Sequence, residues 1–231
     1  MNEEPAASRA LTRTEASAAV TGLGWRYVLG VARTFVRTES LRRAAEAAAV
    51  IAAAGGQAAD GRLLIDIRPD CMILTVPSAG NITAADTELV GRISEILADL
   101  GLEPAAQGPD RSVQVLEIAI DALDIPAIRP FWRAALGYCD EPGHSGPRDP
   151  VVDPDGQGPA IWFQQMTEPR PQRNRIHLDV SVPHDETSVR IQAALAAGGK
   201  LVSDAAAPAF WVLADAEGNE ACITTWQGRD A

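Results

Sequence analysis

Arg175-Ile-His-Leu-Asp-Val180 alternates polar and apolar residues, which predicts a half-buried β-strand. An earlier stretch, Val115-Leu-Glu-Ile-Ala-Ile120, aligns with it position by position. Two turns of the same kind also correspond between these parts of the chain, Asp153-Pro-Asp-Gly156 and Asp215-Ala-Glu-Gly218. A sequence that repeats in this way predicts a duplicated structural unit, and this repeat decides the fold of the C-terminal half.

Each copy of the repeat continues with a helix and further strands. In the first copy, a helix starts at Pro126 and a strong strand follows at Ala160–Met166. In the second copy, Asp185–Ala197 is the helix and Ala221–Thr225 the last strand. The pattern predicts paired βαβββ modules over residues 112–231, and we expect them to enclose a cavity for a small molecule.

The N-terminal half predicts a different α+β domain, over residues 11–102. Residues suited to capping precede its helices: Thr12 or Thr14, Ser40, and Thr83. Pairs of strands separate these helices, so the order is α-β-β-α-β-β-α, with an antiparallel sheet covered by helices. We expect residues 1–10 to be disordered and the Pro/Gly-rich segment 103–111 to be a linker.

The composition is that of an ordinary globular protein, since 46% of the 231 residues are hydrophobic and 22% are charged. A formal net charge of -11 repels phosphate groups, which argues against nucleic-acid and membrane partners. The N-terminus lacks the apolar core of a signal peptide, and no apolar stretch is long enough to cross a bilayer. With three widely spaced cysteines as well, we expect a cytoplasmic protein.

Four motifs of the C-terminal half follow one another in an order that is typical of one superfamily: Phe131-Trp-Arg-Ala-Ala-Leu-Gly-Tyr138, Ile161-Trp-Phe-Gln-Gln165, Asn174-Arg-Ile-His-Leu-Asp179 and Asp215-Ala-Glu-Gly-Asn-Glu220. With them, this half resembles the vicinal oxygen chelate superfamily, which includes glyoxalase I, bleomycin-binding proteins and extradiol dioxygenases. More narrowly, it resembles the glyoxalase-like proteins of actinobacteria. The resemblance implies lyase, isomerase or dioxygenase chemistry through a divalent metal.

The same resemblance implies a set of site residues. In metal-dependent members, ligands project from the first and last strands of each module, which here gives Glu117, Gln164, His177 and Cys222. We expect Glu117, Gln164 and His177 to hold Fe, Mn, Ni or Zn, with Glu117 and His177 at equivalent places in the repeat. Cys222 stands where the family has glutamate. Glu220 lies on the same strand face and is expected to act as an acid/base or positioning group.

Aromatic residues are expected to complete the pocket. Trp162 shares the strand face of Gln164, and we place Trp211 near the rim of the cleft. Either a protonated His177 or Arg175 is expected beside Glu117, because a buried carboxylate needs a cation. An aromatic pocket with few polar groups suits a planar or cyclic organic ligand.

A second interpretation of these residues stays open. His177 would then be a pocket histidine bonded to a neighbouring carboxylate, and Cys222 a buried apolar residue. The protein would bind a drug-like molecule without a metal and without catalysis.

The N-terminal half is similar to pterin-4a-carbinolamine dehydratase. Three motifs carry this similarity, together with the helix that starts at Ser40: Leu23-Gly-Trp25, Asp66-Ile-Arg-Pro69 and Asn81-Ile-Thr-Ala-Ala-Asp86. The histidines of that family are missing, since its His-His-Pro falls on Gly61, Arg62 and Leu63, and a further histidine falls near Pro77.

Dehydration of the hydroxylated pterin needs groups that exchange protons near neutral pH, and arginine and glycine do not do so. We therefore expect the dehydratase activity to be absent or vestigial, and the domain to serve in a homodimer or in completing the cavity. The alternative is a working 4a-hydroxytetrahydrobiopterin dehydratase in which Asp60 or Asp66 replaces the histidines.

Overall fold

The computed structural model of the chain describes residues 9–77, 82–106, 108, 112–169 and 176–228. It confirms the mixed α+β class. The chain divides into two compact units, Met1–Val115 and Leu116–Ala231, each with its own hydrophobic core. Among the described helices, none has the length and apolar character needed to cross a membrane.

The N-terminal unit contains three helices and five strands in its described residues: α1 (Arg13–Thr21), β1 (Arg26–Val28), β2 (Val31–Arg37), α2 (Leu41–Gly55), β3 (Leu64–Ile67), β4 (Cys71–Val76), α3 (Ala84–Asp99) and β5 (Pro104–Ala105). The sheet is antiparallel, with strand order β1-β2-β4-β3, and β5 pairs with β2. Alternate residues of β2 and β4 are buried, which gives the sheet one core face.

The three helices of this unit start at the predicted caps. Thr12 and Thr83 each form a reciprocal capping box with the residue three positions later, and the Ser40 side chain accepts a hydrogen bond from the Arg43 backbone. Of the segment predicted to be disordered, residues 9 and 10 belong to the described part of the chain. Ala10 pairs with Thr83, because the chain runs antiparallel to the segment before α3. Residues 1–8 lie outside the described part of the chain.

The C-terminal unit contains eight strands and two helices in its described residues: β6 (Glu117–Ala122), α4 (Ile125–Leu136), β7 (Cys139–Asp140), β8 (Val151–Val152), β9 (Ala160–Gln165), β10 (Leu178–Ser181), α5 (Thr187–Ala196), β11 (Lys200–Ser203), β12 (Phe210–Ala214) and β13 (Glu220–Thr224). They form two four-stranded sheets, ordered β6-β9-β8-β7 and β10-β13-β12-β11. In each sheet the first strand of the half pairs in parallel with the last one.

One hydrophobic core is shared by both halves of this unit. Helices α4 and α5 contribute to it, and so do alternate residues of four strands: Ile118 and Ile120, Ile161 and Phe163, Leu178 and Val180, Ala221 and Ile223. Because side chains alternate along a strand, the residues between these ones lie on the opposite face of each sheet. That second face carries most of the predicted site residues.

The two corresponding turns are built on an aspartate. The Asp153 carboxylate accepts hydrogen bonds from the backbone amides of residues 155, 157 and 158. The Asp215 carboxylate accepts bonds from the amides of residues 217 and 219, and also from the indole of Trp132. The shared bonding pattern, two and four residues after the aspartate, is a local sign of the duplication.

Candidate functional site

Three side chains meet on the face of β10 and β13 that points away from the core: His177, Asp179 and Cys222. The Nδ1 atom of His177 lies 3.2 Å from Oδ1 of Asp179 and 3.5 Å from Sγ of Cys222. One ligand atom from each of the three residues lies within 4.8 Å of the others. We call this group the His–Asp–Cys cluster. Its imidazole, carboxylate and thiol are all groups that bind divalent transition metals.

Strand register explains why these residues meet. Asp179 and Cys222 are direct partners across the parallel strands β10 and β13. His177 lies two positions before Asp179, so the alternation of the strand places it on the same face. The Cys222 residue is 6% exposed, whereas the side chains of His177 and Asp179 are 51% and 60% exposed. The thiol therefore forms the base of a site that is open on the side of the other two groups.

The predicted ligands of the first half lie on the corresponding face of their own sheet. Glu117 and Gln164 alternate with the core residues of β6 and β9, and so does Trp162. The cluster of imidazole, thiol and carboxylate groups found among the described residues contains His177 but not Glu117. Joint coordination of a metal by Glu117, Gln164 and His177 therefore stays a prediction.

The surroundings of the Glu117 carboxyl group disfavour its charged form. Burial of the carboxyl raises the pKa of Glu117 above its ordinary value, and the negative charge of Glu141 raises this pKa further. The carboxyl therefore holds its proton at higher pH than an ordinary glutamate does. Arg175, one of the two cations expected beside it, lies outside the described residues.

Two further predicted residues have different outcomes. Trp211 is partly buried and packs against the core, on the same side of β12 as the buried Leu213, and its place near a cleft rim stays a prediction. Glu220 begins β13, is half-buried, and shares the strand face of Cys222 as expected.

Asp179 is the member of the cluster that the sequence analysis did not propose. The sequence indicates the strand face of Asp179 but not its contact with Cys222. Asp179 shares the strand face of His177 by simple alternation, but its approach to Cys222 depends on the pairing of β10 with β13. That pairing joins residues far apart in the chain, and no local pattern reports it.

In the N-terminal unit, Arg62 is bonded to two residues at the start of α3. Its guanidinium donates a hydrogen bond of 2.5 Å to the Asp86 carboxylate and one of 3.3 Å to the Thr83 hydroxyl. Asp86 is buried and closes the capping box of α3. Arg62 therefore stabilises the start of this helix.

Residues 117–224 match the family model of the glyoxalase-like domain. A search of curated proteins found no match to this chain. Among solved structures, a glyoxalase/bleomycin resistance protein/dioxygenase family enzyme from Burkholderia phytofirmans PsJN is 17% identical over 47% of this chain and 95% of its own, with a TM-score of 0.36. A glyoxalase/dioxygenase from Nostoc punctiforme is 13% identical over 52% of this chain and 96% of its own, with a TM-score of 0.38.

The fosfomycin resistance protein FosX from Listeria monocytogenes, solved in complex with Mn(II) and sulfate ion, is 10% identical over 48% of this chain and 88% of its own, with a TM-score of 0.38. The family model covers both halves of the repeat, from the first residue of β6 to the last residue of β13. Residues 117–224 therefore form a glyoxalase-like domain of the vicinal oxygen chelate superfamily.

Proposed function

We propose that the glyoxalase-like domain binds a small organic molecule on the polar faces of its sheets and acts on it with the help of a divalent metal ion. The observation that supports this most directly is the His–Asp–Cys cluster, in which three metal-binding side chains converge within 4.8 Å. The exposed side of the cluster leaves room for a substrate to approach. The reaction would be of the lyase, isomerase or dioxygenase type.

The residues of this chain have distinct roles in the proposal. A bound divalent ion supplies polarisation of a substrate oxygen. His177 is its central ligand. Glu117 holds or accepts a proton, for which its raised pKa is suitable, and Glu220 acts as a second acid/base or positioning group. Trp162 and Gln164 offer a ring face and an amide to a planar or cyclic substrate.

Metal content tests this proposal directly. The full chain, purified without chelators, is expected to contain about one Fe, Mn, Ni or Zn ion, and added ions should raise its melting temperature because they bind only the folded state. His177→Ala should lose both properties. His184→Ala is the matched control, since this histidine meets the Trp226 ring edge to face and lies outside the cluster. Absence of any bound ion and of any stabilisation would contradict the proposal.

One observation also favours a second function, which is metal-free binding of a drug-like molecule. The contact of 3.2 Å between His177 and Asp179 is what a pocket histidine bonded to a carboxylate would show. In that case small aromatic compounds would stabilise the protein while divalent ions would not. The same thermal-shift measurement therefore separates the two functions.

For the N-terminal unit, we propose a dehydratase-like domain without dehydratase activity. The pairing of Arg62 with Asp86 supports this, because it commits the residue at the histidine position to a helix cap. Formation of quinonoid dihydropterin should not exceed its spontaneous rate in the presence of the full chain. Acceleration that is lost in Asp60→Asn or Asp66→Asn would instead establish a working dehydratase.

We also propose that this unit serves to join two copies of the chain. Without catalysis, the domain would serve either in this assembly or, as the alternative, in completing the cavity. Light scattering of the full chain should give twice the mass of the 231-residue polypeptide. A monomeric mass over a wide concentration range would contradict it.

A further inference from the structure

Two of the three spacings in the His–Asp–Cys cluster match those of a tetrahedral metal site, and the third is within 4.8 Å. Zinc lies about 2.0–2.1 Å from nitrogen and oxygen ligands and about 2.3 Å from sulfur, so neighbouring ligand atoms are about 3.3 Å apart for N and O and about 3.6 Å for N and S. The corresponding distances here are 3.2 Å between His177 and Asp179 and 3.5 Å between His177 and Cys222. The side chains are thus already placed along two edges of such a tetrahedron.

The geometry does not fit a nucleophilic Cys-His-Asp relay. In such a relay the imidazole uses its two nitrogens separately, one toward the nucleophile and one toward the carboxylate. Here both contacts are made to the same atom, Nδ1 of His177. A single nitrogen that faces both a carboxylate oxygen and a sulfur is the arrangement expected when all three atoms point at one ion.

The chemistry of the three groups selects the ion. A thiolate ligand favours zinc and other borderline or soft metals, whereas Mn²⁺ and Mg²⁺ favour oxygen ligands. One carboxylate and one thiolate also balance the charge of a divalent cation. Three protein ligands leave the fourth position of a tetrahedron open, which is the arrangement of catalytic zinc sites.

We infer that His177, Asp179 and Cys222 form a zinc site, with Nδ1, a carboxylate oxygen and the thiolate sulfur as ligands. This inference deepens the proposed function and rests on it, because it specifies the ion and the ligands of the proposed metal site. Asp179 and Cys222 take the places that Glu117 and Gln164 had in the predicted set. Those two residues then belong to the substrate side of the site.

Cobalt titration of the full chain tests the ligand set without any activity assay. Co²⁺ replaces Zn²⁺ in tetrahedral sites, and a thiolate ligand adds an intense charge-transfer absorption in the near ultraviolet. We expect this band in the wild type at about one Co²⁺ per chain, and its loss when Zn²⁺ is added. Mn²⁺ should compete far more weakly than Zn²⁺.

Variants locate the ligands. Cys222→Ser should abolish the charge-transfer band. Asp179→Asn, at an exposed position, should weaken cobalt binding by more than the roughly 10–100-fold that is typical of losing a residue that only hydrogen-bonds to a metal ligand. Cys139→Ser is the matched control, because this half-buried thiol lies outside the cluster. Circular dichroism checks the fold of each variant. If Cys222→Ser does not fold, the wild-type band and the Asp179→Asn titration still show whether these residues are the metal ligands.

The outcomes separate this inference from the proposed function. Cobalt binding that lacks a thiolate band and depends on Glu117 and Gln164 would overturn the zinc site and leave the metal-dependent function standing. A thiolate band that persists in Cys222→Ser would also overturn it. No binding of any divalent ion would overturn both.

Discussion

The two halves of the glyoxalase-like domain use one backbone plan for different side chains. In the first half, Ala119 of β6 is the direct partner of Trp162 on β9. At the equivalent place in the second half, Asp179 of β10 is the direct partner of Cys222 on β13. A methyl group and an indole on one side thus correspond to a carboxylate and a thiol on the other. Duplication preserved the strand register, and substitution at a few positions gave the halves separate chemistry.

The paired turns show the same divergence. Asp215 is 1% exposed and bonds to Trp132 on α4, while Asp153 is half-buried and bonds to the backbone of its own turn. Glu217, in the second turn, also accepts hydrogen bonds from the backbone amides of residues 123 and 124 at the start of α4. The second turn therefore ties the halves together, whereas the first is a local structure.

The largest effect is expected from removing the aspartate of each turn. Asp215→Ala leaves the buried Trp132 indole without its acceptor and should lower the free energy of unfolding by about 3 kcal/mol or more. Asp153→Ala leaves donors that water can reach, and should cost about 1 kcal/mol. Urea unfolding of the two variants measures the difference. Equal losses would show that the turns are energetically alike.

The next effect concerns the equivalent strand positions. Asp179→Ala should reduce zinc affinity by about 100-fold or more, because a ligand is lost. The reciprocal change, Ala119→Asp, should not create a second site, since its partner across the strands is Trp162. Equilibrium dialysis with zinc measures both variants. Two ions per chain in Ala119→Asp would contradict the assigned difference between the halves.

A smaller effect is expected at the tryptophans. Trp162→Ala should weaken the binding of an aromatic ligand by about 3–10-fold, which corresponds to the 0.5–1.5 kcal/mol of an aromatic pair. Trp211→Phe should leave ligand affinity unchanged, because this ring packs against the core. Calorimetric titration with a ligand found by thermal shift tests the pair. A larger loss in Trp211→Phe would reverse the assignment of faces.

The smallest effect is a pH dependence of stability. The pKa of Glu117 is raised in the folded protein by burial and by Glu141, so its contribution to stability is full below the ordinary glutamate pKa and is lost as pH rises through the shifted pKa. Glu117→Gln should therefore be at least as stable as the wild type at neutral pH, with a melting temperature that changes less between about pH 4 and about pH 7. Glu168→Gln, at an exposed position, controls for the loss of one charge. Glu117 is an exposed residue whose carboxyl group is only partly buried, which keeps the effect small.

Local patterns in the sequence were sufficient for some features. The caps at Thr12, Ser40 and Thr83 determine where three helices begin, because capping depends on residues within one turn. The strand face of His177 also followed from the clear alternation of polar and apolar residues in its segment. These interactions act over a few residues, so the sequence displays them directly.

Other features depend on tertiary pairing. Both faces of β12 are apolar, so alternation alone could not place Trp211, and only contact with the core decides its direction. The contact between Asp179 and Cys222 requires the register of two strands that are distant in the chain. The bond from Arg62 to Asp86 has the same origin. The complete site could not be predicted for this reason.

The hydrogen bond from Trp132 to Asp215 gives the domain an internal fluorescent reporter. The indole belongs to α4 of the first half, and its acceptor lies in the turn before the last strand of the second half, 3.0 Å from the indole nitrogen. Emission from this ring should therefore shift only when the final hairpin docks on the helix. In a variant that keeps Trp132 as its sole tryptophan, the change in emission during stopped-flow refolding would measure how fast the two halves of the domain come together.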